Sequence, residues 1–250
     1  MSDAAGIDLI GDEDLAYLRS RTAFVAGAGM TLDDGYRLAH LPLIDPAHPK
    51  AIARKDGTHY DNGRHPPIYS LVVPTLGLQE APVYRELEQE LREAPFASKI
   101  AWDIVARRQA KLHATVCGSL SVGTPPVIDL AAREALSRIG PVAMELRGLF
   151  SGNVNRGRLY LRLYPEQREG QNALHLLQRA LGRPTSDLYV VGIWNLSDDL
   201  DVAEAAALAS LVERWWDRPI LRFTADRLWL MGASDDLVLD SEIVETLSLR

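Results

Sequence analysis

The stretch Lys111-Leu112-His113-Ala114-Thr115-Val116-Cys117-Gly118 decides how the rest of the chain is read. As a strand it places His113, Thr115 and Cys117 on one face and Leu112, Ala114 and Val116 on the other, because side chains alternate. One face is apolar, as a sheet buried on one side requires, and the other offers an imidazole and a hydroxyl. An imidazole titrates near neutral pH and can take or give a proton, while a threonine hydroxyl two residues away can donate to a phosphate oxygen. The pair suits phosphoryl chemistry. A His-x-Thr tripeptide by itself equally describes a strand histidine bonded to a backbone group.

Upstream, the apolar run Ile68–Val73 is a strand stopped by Pro74, and Val83, Leu87 and Leu91 mark a helix through a Glu/Arg-rich stretch. The β-branched run Ile100–Val105 is predicted to form a strand, joined through the polar turn Arg107-Arg108-Gln109 to the motif strand Lys111–Leu120 as a hairpin. Downstream, a helix over 129–139 leads to strands Val142–Phe150 and Arg158–Tyr164, paired around Ser151-Gly152-Asn153. A helix over 170–182 ends at Gly182 before Pro184, and the strand Leu188–Leu196 follows. Asp199 and Asp201 can cap a helix over 202–216, whose Leu208, Leu211, Val212 and Trp215 form its apolar stripe. Strands near 220–232 and 236–240 and a short element at 243–249 complete the order. That order gives an α+β fold of two pseudo-symmetric lobes, mostly antiparallel sheets with helices packed on the outer faces. The lobes interleave over roughly 66–140 and 141–250, behind an irregular extension, 1–65, with one helix near 12–20 and Gly, Pro and Asp clusters between short apolar patches.

Composition narrows the function. With 250 residues, 47% hydrophobic and 24% charged, the chain can bury a core without disulfides or a structural metal. Its 27 basic against 34 acidic side chains, net −7, argue against long nucleic acid or an anionic membrane as partner. A single cysteine, Cys117, forms no internal disulfide, and no Cys/His spacing is that of a zinc site, so a reducing, cytoplasmic setting with no metal and no cofactor is expected. The acidic N-terminus has no positively charged start followed by an apolar stretch and no later run approaches eighteen apolar residues, so neither a secretory leader nor a membrane span is expected. Phosphate-binding Walker loops, dinucleotide fingerprints, Gly-x-Ser-x-Gly elbows and His-Glu-x-x-His helices are all missing.

His113-Ala114-Thr115-Val116 resembles the H-x-[ST]-apolar motif of the two-histidine phosphoesterase superfamily, which includes the 2′-5′ RNA ligase-like proteins and the cyclic phosphodiesterases. The order of elements from about residue 66 to 250 is similar as well. The resemblance implies one such motif per lobe and hydrolysis of a small phosphodiester or 2′,3′-cyclic phosphate at a nucleotide or RNA end. One histidine serves as base and the other as acid, with Ser/Thr hydroxyls on the phosphate. It implies His113 as the general acid or base and Thr115 as the phosphate donor. The strand expected to hold the second motif reads Tyr189-Val190-Val191-Gly192-Ile193-Trp194-Asn195-Leu196. Aligning Ile193-Trp194-Asn195-Leu196 with the motif puts isoleucine where histidine belongs and leaves Asn195 as a hydrogen-bond donor. A one-residue shift brings in Gly192 or Trp194, and neither moves a proton. Losing one proton-transfer partner forfeits on the order of 10²–10⁴ in rate.

Two readings therefore stand: a divergent phosphoesterase, or a non-catalytic module holding a nucleotide or other phosphorylated ligand on the same fold. Arg107, Arg108 and Lys111 are the basic cluster near His113, either a solvated turn or part of the substrate site. His59 and His65, in and just after Gly57-Thr58-His59-Tyr60-Asp61-Asn62-Gly63, are further substrate-side candidates. That segment resembles one preceding the first strand in one branch of the superfamily; read alone it is a turn with exposed histidines. His175 reads as a helix-surface residue, and Asp235-Asp236 as a turn between the last strands. The partner expected is a small phosphorylated ligand or a nucleotide or RNA end.

Overall fold

The structure is a computed structural model describing residues 7–250. Three short helices, α1 (Tyr17–Ser20), α2 (Asp34–Ala39) and α3 (Leu41–Ile44), precede strand β1 (Arg64–Pro74). Helices α4 (Pro82–Glu93) and α5 (Trp102–Arg108) then lead to β2 (His113–Val122), and α6 (Leu130–Ile139) leads to the hairpin β3 (Val142–Ser151) and β4 (Arg158–Pro165). A two-stranded ribbon, β5 (Gln167–Arg168) and β6 (Gln171–Asn172), is followed by α7 (Ala173–Ala180), β7 (Val190–Asn195) and α8 (Val202–Trp215). The chain closes on β8 (Pro219–Ala225), β9 (Arg227–Asp235) and β10 (Ser241–Ser248).

The fold is α+β with antiparallel sheets. One four-stranded sheet has the order β10-β9-β1-β2 and the other β7-β4-β3-β8. Each thus ends on an edge strand that follows a helix, β2 in one and β7 in the other, and these two edges lie side by side. The helices interlock the halves: α4 and α5, which connect β1 to β2, pack on β8 and β7, whereas α6 packs on β10 and α7 on β2. The first sheet draws its other two strands, β9 and β10, from the C-terminal end of the chain. One apolar core runs through both halves, from Leu71, Leu87 and Leu91 to Leu146, Leu161, Leu208 and Trp215. Among the described residues no helix is long and apolar enough to cross a membrane.

Local chemistry accounts for most boundaries. Asp129, Asn172 and Asp201 cap α6, α7 and α8, the last in a capping box with Glu204. Three expectations fail. Ile100–Val105 is not a strand: Ala101, Ile104, Val105 and Arg108 are all buried at helical spacing along α5, so the predicted hairpin with β2 does not exist. Tertiary packing of that stripe overrides the β propensity of its branched residues. The stretch 220–232 is divided at Asp226 into β8 and β9, which belong to different sheets, and 236–240 is a turn rather than a strand.

The N-terminal segment, expected to be irregular, is pinned to the second sheet. Tyr17 is fully buried and its hydroxyl donates to the carbonyls of Leu163 and Tyr189, which unites α1 with β4 and the entry to β7. Tyr36 does the same for α2 by donating to the carbonyl of Leu196 at 2.6 Å.

Candidate functional site

Where β2 meets the second sheet the surface opens into a cavity of about 510 Å³, within the range of small-molecule sites. From β2 it is lined by His113, Thr115, Gly118 and Ser119. Alternation keeps Leu112, Ala114 and Val116 buried behind this wall. The alternation then breaks: Leu71 pairs with Cys117 while Val72 pairs with Thr115, so one residue of β1 spans two steps of β2. This bulge turns Cys117 inward, away from the face of His113 and Thr115 that strict alternation assigned to it. Burial raises its thiol to about 11, so it supplies no thiolate at neutral pH.

His113 is held in one tautomer. Its Nδ1 lies 2.7 Å from the carbonyl of Lys111, which can only accept, so Nδ1 bears the hydrogen and Nε2 the lone pair. Burial pushes the imidazole down to about 4, against the pull of the Lys111 carbonyl and with help from the positive charges of Arg108 and Arg158. At neutral pH it is an uncharged base with a free Nε2, and it cannot serve as an acid there.

The facing wall comes from β4 and β7, through Arg158, Tyr160, Val190 and Gly192. Val190 and Gly192, two residues apart on β7, line the same cavity as His113 and Thr115 on β2. Ile193 is fully buried in the core on the opposite side of the strand. The register slips between the pairs Tyr160–Gly192 and Leu159–Trp194, a bulge the linear alignment did not contain. Val190, and not Ile193, is the β7 residue that lines the cavity. Gly192 has no side chain, and a Cβ there would overlap the guanidinium of Arg158.

A second arginine forms the floor. Arg108, at the end of α5, is only 2% exposed, and its guanidinium donates to the carbonyls of Gly192 and Ile193 and, at 3.5 Å, to Oδ1 of Asn195. Arg158 donates to Nε2 of His40 and to the carbonyl of Asp236. Every one of these acceptors is neutral, and the Nε atoms of both arginines are buried without a partner among the described residues. The other buried arginine, Arg162, also leaves its Nε without a partner among the described residues but has a carboxylate, Asp12, 3.3 Å from its Nη1. Burial and the nearby charge of Arg158 depress Arg108 well below the usual arginine range. Neither guanidinium bonds a carboxylate directly, although Asp235 and Asp236 line the same cavity.

The third wall combines the N-terminal segment with the turn after β9, through His59, Tyr60, His65 and Asp236. His65 is buried, not exposed as the turn reading expected: Nδ1 sits 2.8 Å from the carbonyl of Pro66 and Nε2 3.3 Å from Oδ1 of Asp236. Burial opposes its charge, but the bonds to Asp236 and Pro66 outweigh that and raise it above the ordinary histidine value. Tyr60 donates to the other carboxylate oxygen at 2.8 Å. Burial works against ionisation of Asp236, yet His65, His40, Tyr60 and Arg158 together hold it below the usual carboxylate range. His40 is fully buried, stacks on Tyr36, and is lowered to about 3 by burial and by Arg158.

The remaining sequence candidates lie apart from the cavity lining. Asn195 is fully buried behind Arg108. Arg107 points to solvent on the outer side of α5. Lys111 is tied to Ser241 through both the carbonyl and the hydroxyl, each at 2.9 Å. His175 on α7 bonds Asp187. Sequence reasoning missed Arg158, Tyr60 and Asp236. Asp235-Asp236 was legible only as a turn, which Asp235 does build by accepting from the amides of Leu237, Leu239 and Asp240. Among the described residues no group of three or more His, Cys, Asp or Glu side chains is arranged to hold a metal ion.

No protein-family model matches the chain, and no curated protein matches it. Among solved structures, the crystal structure of TT0787 of Thermus thermophilus aligns with 73% of this chain and 98% of that one, at 13% identity and a TM-score of 0.38.

Proposed function

We propose that the cavity is a phosphoesterase-type site that binds a small phosphorylated ligand and uses His113 as its general base. The observation that supports this reading is the union, in one cavity, of a neutral imidazole with a free Nε2 and two guanidiniums whose bonded acceptors are all neutral. Thr115 and Ser119 add hydroxyls beside His113. A phosphoryl group seated there offsets the positive charge, and Nε2 takes a proton from the water that attacks phosphorus. The ligand is short, a mononucleotide or a nucleotide end, because the chain has net charge −7 and the arginines form a pocket rather than a track.

A second reading, a binding module without turnover, is favoured by Val190 and Gly192, which put no proton-transfer group on the β7 wall. Hydrolysis of phosphodiesters by the wild type and His113→Ala separates the two. On the catalytic reading the variant loses about 10²–10⁴ in kcat while ligand binding persists. Binding with no turnover in either protein selects the module.

A further inference from the structure

The two walls of the cavity treat charge differently, and the difference specifies a leaving group. On the β2 wall His113 Nε2 accepts a proton. On the facing wall, where Val190 and Gly192 stand, two polar residues line the cavity: Tyr160, whose phenol burial raises above its ordinary pKa so that it releases its proton less readily, and Arg158, whose Nη2 makes no hydrogen bond among the described residues. The position of the Arg158 guanidinium is built in: Gly192 leaves the room, Nη1 is anchored by the carbonyl of Asp236 at 2.9 Å and by His40 at 3.2 Å, and a Cβ at 192 would displace it. A guanidinium neutralises negative charge but does not release a proton at neutral pH. His65 is no substitute acid, since both of its ring nitrogens are engaged by Pro66 and Asp236.

A ribose oxygen leaving phosphorus needs a proton, whereas a phosphate monoester, with a second pKa of about 6, leaves as a stable anion that needs only a cation. We propose that the substrate is a diphosphate diester, two organic groups joined through a P–O–P bridge, cleaved at that bridge. This rests on the phosphoesterase reading above and names its substrate class. Water attacks one phosphorus and gives its proton to His113 Nε2. The new P–O bond forms as the bridging P–O bond breaks, and the second phosphate departs with the electron pair, held by Arg158. The proton on His113 then returns to solvent, so the products are two phosphate monoesters and nothing is oxidised or reduced. The two phosphates of such a ligand bear one negative charge each and can each meet one guanidinium, that of Arg108 or of Arg158.

The test compares diadenosine diphosphate, adenylyl-adenosine and adenosine 2′,3′-cyclic phosphate as probes, with product release and binding followed for the full chain. We expect AMP release from the diphosphate to exceed turnover of either ribose-leaving probe by 100-fold or more. Arg158→Ala should lower kcat on the diphosphate by at least 10-fold more than it lowers kcat on bis(4-nitrophenyl) phosphate, whose leaving group needs no proton and bears less charge. Gly192→Ala should reproduce that loss with a folded protein, and Arg158→Lys should recover part of it. A purely structural role would depress all probes alike and overturns the assignment. Equal or faster turnover of the cyclic phosphate overturns the substrate class but leaves the phosphoesterase reading intact. Binding without cleavage of any probe overturns it in favour of the binding module, and absence of both binding and cleavage overturns the two readings together.

Discussion

The β2 and β7 edges each border a four-stranded antiparallel sheet, and each lies beside the strand that precedes it through a helix, yet one presents His113 and Thr115 to the cavity and the other Val190 and Gly192. On β2 a hydroxyl and an imidazole project from the strand itself, while on β7 the strand recedes at a glycine and the neighbouring strand β4 sends Arg158 through the gap. Symmetric scaffolds allow chemistry on one half to change while the other is kept, because each edge strand depends mainly on its own sheet for position. The β7 side of the cavity supplies charge where the β2 side supplies an imidazole.

The sharpest way to break that comparison is to move a histidine along β7. Val190 faces the cavity, whereas Ile193 is sealed in the core. Ile193→His should destabilise the fold by about 2–5 kcal/mol, read as a fall in the denaturant midpoint, because an imidazole is forced into an apolar layer. Val190→His should fold with near wild-type stability and raise cleavage of ribose-leaving substrates by about 10–100-fold, by returning an acid to the deficient wall. The opposite pattern would place the equivalence at Ile193 after all.

Acidity distinguishes the walls next. Because the His113 pKa lies near 4, the basic form is present throughout the neutral range, and the acid limb of kcat/KM should have its midpoint near 4 instead of near 6.5. Stability follows the same sign. His113 and His40 both bind protons less readily folded than unfolded, so between pH 6.5 and about 4 the unfolded chain takes up protons that the native state refuses. Unfolding free energy therefore decreases as pH falls from 6.5, by up to about 1.4 kcal/mol per pH unit for the fully buried His40 and by less for the partly exposed His113. His40→Gln should flatten this slope in acid titrations of stability. An unchanged slope would mean that His40 is charged in the native state.

A smaller effect belongs to the kept wall. Thr115→Val preserves shape and removes one neutral donor, so phosphate-ligand affinity should drop by about 1 kcal/mol, roughly five-fold, with no change in melting temperature. A loss no greater than that of Ser70→Ala at the cavity rim would remove Thr115 from the contact.

What the sequence made legible followed the same division. The β2 motif was readable because period-two alternation, a bounding helix and an unusual polar pair all point the same way over His113–Val116. The second wall was not, since the β7 bulge shifts register between Gly192 and Trp194 without any local signature. Arg108 hid for another reason. It ends the buried stripe Ala101–Ile104–Val105–Arg108, and an arginine at a core-facing helical position conceals the periodicity that would have identified α5. Arg158 and Asp236 come from regions far apart in the chain, and only the closed fold joins them.

The most direct measurement is calorimetric titration of adenosine 2′,3′-cyclic phosphate into His113→Ala, which removes turnover, and into His113→Ala combined with Arg158→Ala. One-to-one binding that weakens with added salt is expected in the first. A further loss of about 1.5–3 kcal/mol, the worth of a charge-assisted hydrogen bond, is expected in the second. Absence of binding in the first protein, or an affinity indifferent to Arg158, would contradict a phosphate site between the two walls.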